Sequence, residues 1–336
     1  MGMRLAINGF GRIGRSVLRA LYEYDYRSDI EVVAINELAD LDSISYMLRY
    51  DSTHGRFPGT VIANKTEGIL QVNGDNIRVF HQEAIDHLDW SGLNIDLVLE
   101  CTGQVTTRQQ AEAHLKAGAS KVLISNPADS VVDNTIIYGV NHSSLSTDQR
   151  IVSNGSCSTN CLIPVLKLLD QQWGIEAGVT TTIHSAMNDQ PVIDAYHSDM
   201  RRTRSAVQSI IPVNTGLGKG IERLMPELAN RIECLHVRVP TINVSALDVS
   251  LVLRSETSPQ AVNDLVQSAA SGALQNLLGI TFEAHASTDF NHDPRSGILD
   301  ATQTRVSGGR LLKLYIWFDN EWGFANRMLD TALCMK

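Results

Sequence analysis

Gly9-Phe10-Gly11-Arg12-Ile13-Gly14 stands between an apolar run at residues 4–8 and a helical pattern at 13–24. No other feature narrows the fold as far. A G-x-G-x-x-G spacing carries meaning only when a strand precedes it and a helix follows. Here both flanks are present. The first glycine permits the tight turn, the second lets the backbone approach a phosphate, and the third lets the helix pack closely on the sheet. The helix N-terminus then offers N–H groups and a positive dipole end to an anion. Further apolar runs at 31–36, 96–101, 121–125 and 135–140, with a helical pattern at 108–117, are rich in Val, Ile and Leu. They predict strands buried on both faces of a parallel sheet. The expected class is α/β, with a doubly wound N-terminal domain.

Glu37 follows the second run, 23 residues after Gly14. An acid there can accept hydrogen bonds from an adenosine ribose and repels a 2′-phosphate, so NAD is the expected cofactor of a Rossmann domain. From about residue 151 the later runs, at 179–184, 234–239, 246–253 and 311–318, are longer and more alternating. They predict an α+β catalytic domain with a mostly antiparallel sheet. The domains are expected at 1–153 and 154–319. Residues 320–336 are expected to return to the first domain as an amphipathic C-terminal helix.

The chain has 336 residues, 43% hydrophobic and 19% charged, with a net charge of −9. This suits a two-domain globular protein. It disfavours non-specific nucleic-acid binding and docking on an anionic membrane. No apolar run is long enough to span a bilayer, and the N-terminus does not read as a secretory signal. Five cysteines, with no zinc-site spacing, predict neither a disulfide scaffold nor a metal site, and point to a reducing cytoplasm.

The chemistry concentrates at Ser153-Asn154-Gly155-Ser156-Cys157-Ser158-Thr159-Asn160-Cys161, which opens an apolar helix. Cys157 at that helix start is a candidate nucleophile, because the dipole favours a thiolate. Cys161, one turn on, is expected to point into the packing between domains as a small buried residue. Pro164 leaves the helix boundary open. His184 ends a β run, and a thiol needs a base within reach. Arg201-Arg202-Thr203-Arg204 and Arg238 mark an anion site in an acidic chain, with one arginine for substrate and the others for the loop and a subunit interface. Thr215-Gly216 adds a hydroxyl and a backbone N–H. His292 is expected as a turn residue or a support to the site.

These motifs, with Arg238-Val239-Pro240-Thr241 and Asp319-Asn320-Glu321-Trp322-Gly323, resemble the glyceraldehyde-3-phosphate dehydrogenase family along the whole chain. The resemblance implies a cytoplasmic homotetramer with Cys157 as nucleophile and His184 as its activator. It implies that Gly9, Gly11, Arg12, Ile13, Gly14, Glu37, Ser125 and Asn320 bind NAD, Asn320 through the nicotinamide carboxamide. It implies that Ser156, Cys157, Ser158, Arg202, Thr215, Gly216 and Arg238 meet a phosphorylated aldose.

Within the family, 35–40, His184-Ser185-Ala186-Met187, 194–197, 289–294 and 302–308 resemble the branch that oxidises D-erythrose 4-phosphate to 4-phosphoerythronate. In that branch the resemblance implies a thioester released by water, in the service of pyridoxal 5′-phosphate synthesis. Two departures from the common family pattern bear on this. Gly155 and Ser158 replace Ala and Thr around the nucleophile, and Ala186-Met187 replaces Tyr-Thr, which removes a hydroxyl from the usual phosphate site. Two other readings stand beside it: phosphorylating oxidation of glyceraldehyde 3-phosphate, and a dinucleotide fold used to bind RNA or protein.

Overall fold

The computed structural model describes residues 2–24 and 26–336. The chain forms two compact units, Met1–Ser156 with Phe324–Lys336, and Cys157–Gly323. The first contains β1 (Met3–Asn8), α1 (Arg12–Glu23), β2 (Ile30–Asn36), α2 (Leu41–Arg49), and the short pair β3 (Tyr50–Asp51) and β4 (Gly55–Arg56). It continues with β5 (Val61–Asn64), β6 (Ile69–Val72), β7 (Asp75–Phe80), β8 (Leu97–Glu100), α3 (Arg108–Lys116), β9 (Lys121–Ile124), β10 (Asn134–Thr135) and β11 (Ile151–Ser153).

One nine-stranded sheet runs β10-β11-β9-β8-β1-β2-β7-β6-β5. Every pairing from β10 to β7 is parallel, and β6 and β5 add an antiparallel edge. The central strands are buried almost continuously, as parallel strands covered on both faces must be. Strand β1 has β2 on one side and β8 on the other, so the strand order reverses at its carboxyl end, where open α/β sheets bind ligands. Helix α3 opens on a capping box, Thr107 with Gln110.

The expected strand at 135–140 is only Asn134–Thr135. The Asn141 side chain explains the difference. Its Oδ1 accepts from Ile137 N at 2.7 Å and its Nδ2 donates to Thr135 O at 2.8 Å, which turns the chain off the sheet.

The second unit holds α4 (Cys157–Trp173), β12 (Ile175–His184), β13 (Ile211–Val213), α5 (Leu217–Leu224), β14 (Ile232–Arg238), β15 (Ser245–Leu253) and α6 (Pro259–Ala270). Then come β16 (Leu278–Thr281), β17 (Gly297–Asp300), β18 (Arg305–Ser307) and β19 (Leu311–Phe318). The sheet order is β13-β14-β12-β15-β19-β17-β16, with β18 hairpinned on β19. It is mostly antiparallel, with parallel pairs at β12–β14 and β16–β17.

Helix α4 runs through Pro164, which removes one N–H from its ladder without ending it. Helix α7 (Trp322–Cys334) belongs to the first unit from Phe324 onward. There Thr331 Oγ1 donates to Asn154 Oδ1 at 2.7 Å and Lys121 Nζ to Met335 O at 2.6 Å. The expected amphipathic pattern is not what forms: residues 322–329 are buried on every side. No helix among the described residues is long and apolar enough to cross a membrane.

Candidate active site

In the first unit, the three glycines divide the work as their spacing predicts. Gly9 has φ +88°, and a Cβ there would lie 2.7 Å from Thr102 N. A Cβ on Gly14 would collide with Gly9 O, whereas one on Gly11 would meet nothing within 4 Å. The turn, the close packing and the open approach therefore fall on the first, third and second glycine. This cradle fits a pyrophosphate at the start of α1, whose first residues are Arg12 and Ile13.

Glu37, just past β2, accepts from Phe10 N and Leu38 N, both at 2.8 Å. Its carboxylate thus braces the glycine loop and keeps lone pairs for a ribose hydroxyl. The Arg12 guanidinium is bound to Asp51 through both nitrogens. Burial alone would raise the Asp51 carboxyl, but Arg12 and the backbone N–H groups of His54 and Thr53 hold it well below the usual range. Ser125 follows β9, with its N–H on Glu100 O and its side chain on Cys101.

The second unit carries the reactive groups. Cys157 is the first residue of α4, and the chain reaches that helix through Gly155, whose φ of +67° suits a residue without a Cβ. His184 is the last residue of β12, and its Nε2 lies 3.6 Å from Cys157 Sγ. The parallel register sets His184 beside Arg238 of β14. Arg238 Nη1 lies 2.7 Å from His184 Nδ1, and Ser185 O lies 2.8 Å from the same nitrogen. Nδ1 cannot donate to Ser185 O and also accept from Arg238. With its proton on Ser185 O, the Nε2 lone pair faces sulfur and can take the thiol proton. With Arg238 donating to Nδ1, Nε2–H faces the sulfur and stabilises a thiolate.

Burial pushes His184 well below the usual histidine range, and Arg238 pushes it the same way, so the ring is neutral. For Cys157 the net direction is upward, against the expectation from the helix start alone. Burial raises the thiol, and this outweighs Arg238, the Ser158 side chain and the local backbone N–H groups, which lower it.

Cys161 is fully buried with its sulfur toward Gly297 of β17, a contact within the second unit. All five cysteines are free thiols.

The candidate arginines differ in their surroundings. Arg202 is paired with Asp189 at 2.6 Å and Asp199 at 3.6 Å, and Arg204 with Asp194 at 2.6 Å. Arg238 is 9% exposed and forms no ion pair among the described residues. A buried guanidinium without a carboxylate is a ready anion site. Thr215 and Gly216 stand at the start of α5, where Thr215 Oγ1 accepts from Leu217 N. Ser158 is buried in the first turn of α4, and Ser156 immediately precedes Cys157. Met187 is half-exposed, with its N–H on Gln190 Oε1.

Asn320 is nine-tenths buried, and its Oδ1 accepts from Ser245 Oγ at 2.8 Å and Ser185 Oγ at 3.1 Å. Ser245 Oγ itself accepts from Ser185 N, which commits its proton to Asn320. The amide oxygen is thereby committed, which leaves the Asn320 N–H groups as the available donors. The preceding Asp319 accepts from Glu321 N and Trp322 N at the start of α7, and from Asn243 and His292 N. His292 is a turn residue, φ +69°, stacked on Trp322 at 3.6 Å.

His236 was not singled out in the sequence, although strand alternation puts it on the face of Arg238 two residues later. Its ring stacks on His184 with centroids 5.1 Å apart and planes at 24°.

Two family models match the chain. Residues 3–108 match the glyceraldehyde 3-phosphate dehydrogenase NAD binding domain, and residues 156–320 match the C-terminal domain of the same enzyme family. A glycine cradle built for a dinucleotide and a cysteine–histidine pair beside an unpaired arginine agree with that match: this chain is an NAD-dependent oxidoreductase of the glyceraldehyde 3-phosphate dehydrogenase family.

Proposed function

We propose that the protein is a D-erythrose-4-phosphate dehydrogenase that releases 4-phosphoerythronate by hydrolysis. The observation that carries this reading is the contrast between the two arginines. Arg238 is buried and unpaired, whereas Arg202 is already held by two carboxylates. One guanidinium is therefore ready for the substrate phosphate, and the other is not equally open to a second, inorganic phosphate. Met187 adds no donor there.

Arg238 holds the substrate anion. The Cys157 sulfur bonds to the aldehyde carbon, and its proton passes to His184 Nε2. The Cys157 backbone N–H and the His184 ring stabilise the oxyanion. The Gly9–Gly14 turn and Glu37 of the first unit would hold NAD, and in the second unit the Asn320 amide would be a donor for a carboxamide. NAD, when bound, would supply the hydride acceptor that this oxidation needs; the substrate carbon then remains on Cys157 as a thioester, and His184 returns its proton to solvent and is neutral again. Water then forms the new C–O bond as the C–S bond breaks.

The same reading includes a cytoplasmic homotetramer. Val192, Ile193, Tyr196, Met200, Val207 and Ile210 are all more than half exposed within one segment, an apolar surface that further copies of the chain would cover. Sedimentation in solution should give four times the chain mass; a monomer would refute the assembly.

Steady-state kinetics with both aldehydes, with and without inorganic phosphate, test the substrate. Erythrose 4-phosphate should be oxidised without added phosphate, and glyceraldehyde 3-phosphate should react poorly. Strict phosphate dependence would favour the phosphorylating reaction.

A further inference from the structure

His236 lies on the reactive face of β14 and takes no part in the steps above. The parallel register puts it beside Thr182 of β12, as it puts Arg238 beside His184. The four side chains therefore form two adjacent rows on one buried face. His236 is 8% exposed, and its Nε2 is buried with no hydrogen-bond partner among the described residues. The hydroxyl of Thr182, which is fully buried, likewise has none. Two orphaned polar groups side by side are costly in an interior, and native proteins meet such groups with ordered water or ligand. Burial and the charges of Arg238 and Arg202 push His236 down to about 3. It is a neutral hydrogen-bonding ring there, not a proton carrier, and its stack on His184 places it next to the group that faces the sulfur.

We propose that His236, with the Thr182 hydroxyl, orients the water that releases the acyl group from Cys157. The proposal rests on the hydrolytic reading given under the proposed function. The water oxygen bonds to the acyl carbon and the C–S bond breaks. One water proton passes to His184 Nε2 and from there to the departing sulfur. The products are the free acid, which ionises, and the thiol of Cys157, and no oxidant or further reactant is needed.

The test uses His236→Phe, which keeps a flat ring against His184 and removes the nitrogens, and His236→Gln, which restores a polar atom. Turnover of erythrose 4-phosphate with NAD is quenched in acid, and the acylated fraction of Cys157 is read by intact mass. In His236→Phe that fraction should rise and kcat should fall about tenfold or more. The first-turnover burst of NADH should persist. Alkylation of Cys157 by iodoacetamide without nucleotide should keep its rate and pH profile. His236→Gln should recover part of the lost kcat. An unchanged acylated fraction and kcat in His236→Phe would overturn the proposal, and so would a raised KM for the aldehyde at unchanged kcat, the mark of a sugar contact. An unmutated protein that turns over only with inorganic phosphate overturns the hydrolytic reading and this proposal together.

Discussion

Arg238 holds a positive charge in the protein interior with no carboxylate in direct contact among the described residues; burial and Arg202 weaken its hold on its proton, and the charge of nearby Asp189 only partly offsets them. Such a residue costs stability and is useful only when an anion arrives. Its second effect is on the Cys157–His184 pair, where it lowers both the thiol and the ring. Because burial leaves the thiol above its ordinary value, alkylation of Cys157 in the nucleotide-free protein should accelerate as pH rises beyond about 8.5. Arg238→Met should move that rise to still higher pH. It should also weaken binding of the phosphorylated aldehyde by roughly 10- to 100-fold, the loss of one charge-assisted contact. His184→Asn should slow oxidation by about 100-fold or more, whereas Cys161→Ala should stay active. A Cys157 that alkylates fastest at acid pH would contradict this account of the pair.

At the level of elements, the parallel strands of the first unit were legible because burial on both faces writes an unbroken apolar run. The antiparallel edge of β5 and β6 was not, since its short half-exposed strands carry too little pattern. Nor was the early end of β10, which depends on one asparagine side chain. A buried polar chain also went unread. Asn36 donates to Asn8, Asn8 to Glu100 at 2.6 Å, and His114 Nε2 meets the same carboxylate at 2.8 Å. Glu100 further accepts from Thr102 N, the atom against which Gly9 packs. It therefore fixes the floor of the glycine turn.

Burial would raise the Glu100 carboxyl, but His114, Thr102 and Asn8 together bring it below its ordinary value. A carboxyl lowered by folding stabilises the fold above its unfolded value of about 4.3, and that contribution is lost as pH falls through the folded value. Glu100→Gln should cost about 1–3 kcal/mol at neutral pH. It should flatten the loss of stability on acidification and weaken NAD binding measured by calorimetry. Unchanged NAD affinity would show that this network does not support the turn.

For the molecule as a whole, the motifs named the groups but not their distances. Cys157 and His184 are 27 residues apart, and only the start of α4 and the end of β12 bring sulfur and Nε2 within 3.6 Å. The carboxylates that hold Arg202 lie three and thirteen residues from it, and nothing in the spacing identifies them as its partners. On the hydrolytic reading proposed above, that pairing is what disfavours a second, inorganic phosphate, so the identity of the acyl acceptor decides between the two reactions. The most direct measurement is turnover of erythrose 4-phosphate in heavy-oxygen water, with the product examined by mass spectrometry before and after exchange controls. Hydrolytic release predicts 4-phosphoerythronate whose carboxylate carries one solvent oxygen beyond any already exchanged into the aldehyde carbonyl, formed in buffer free of inorganic phosphate. An acyl phosphate product, formed only when inorganic phosphate is present, would contradict it.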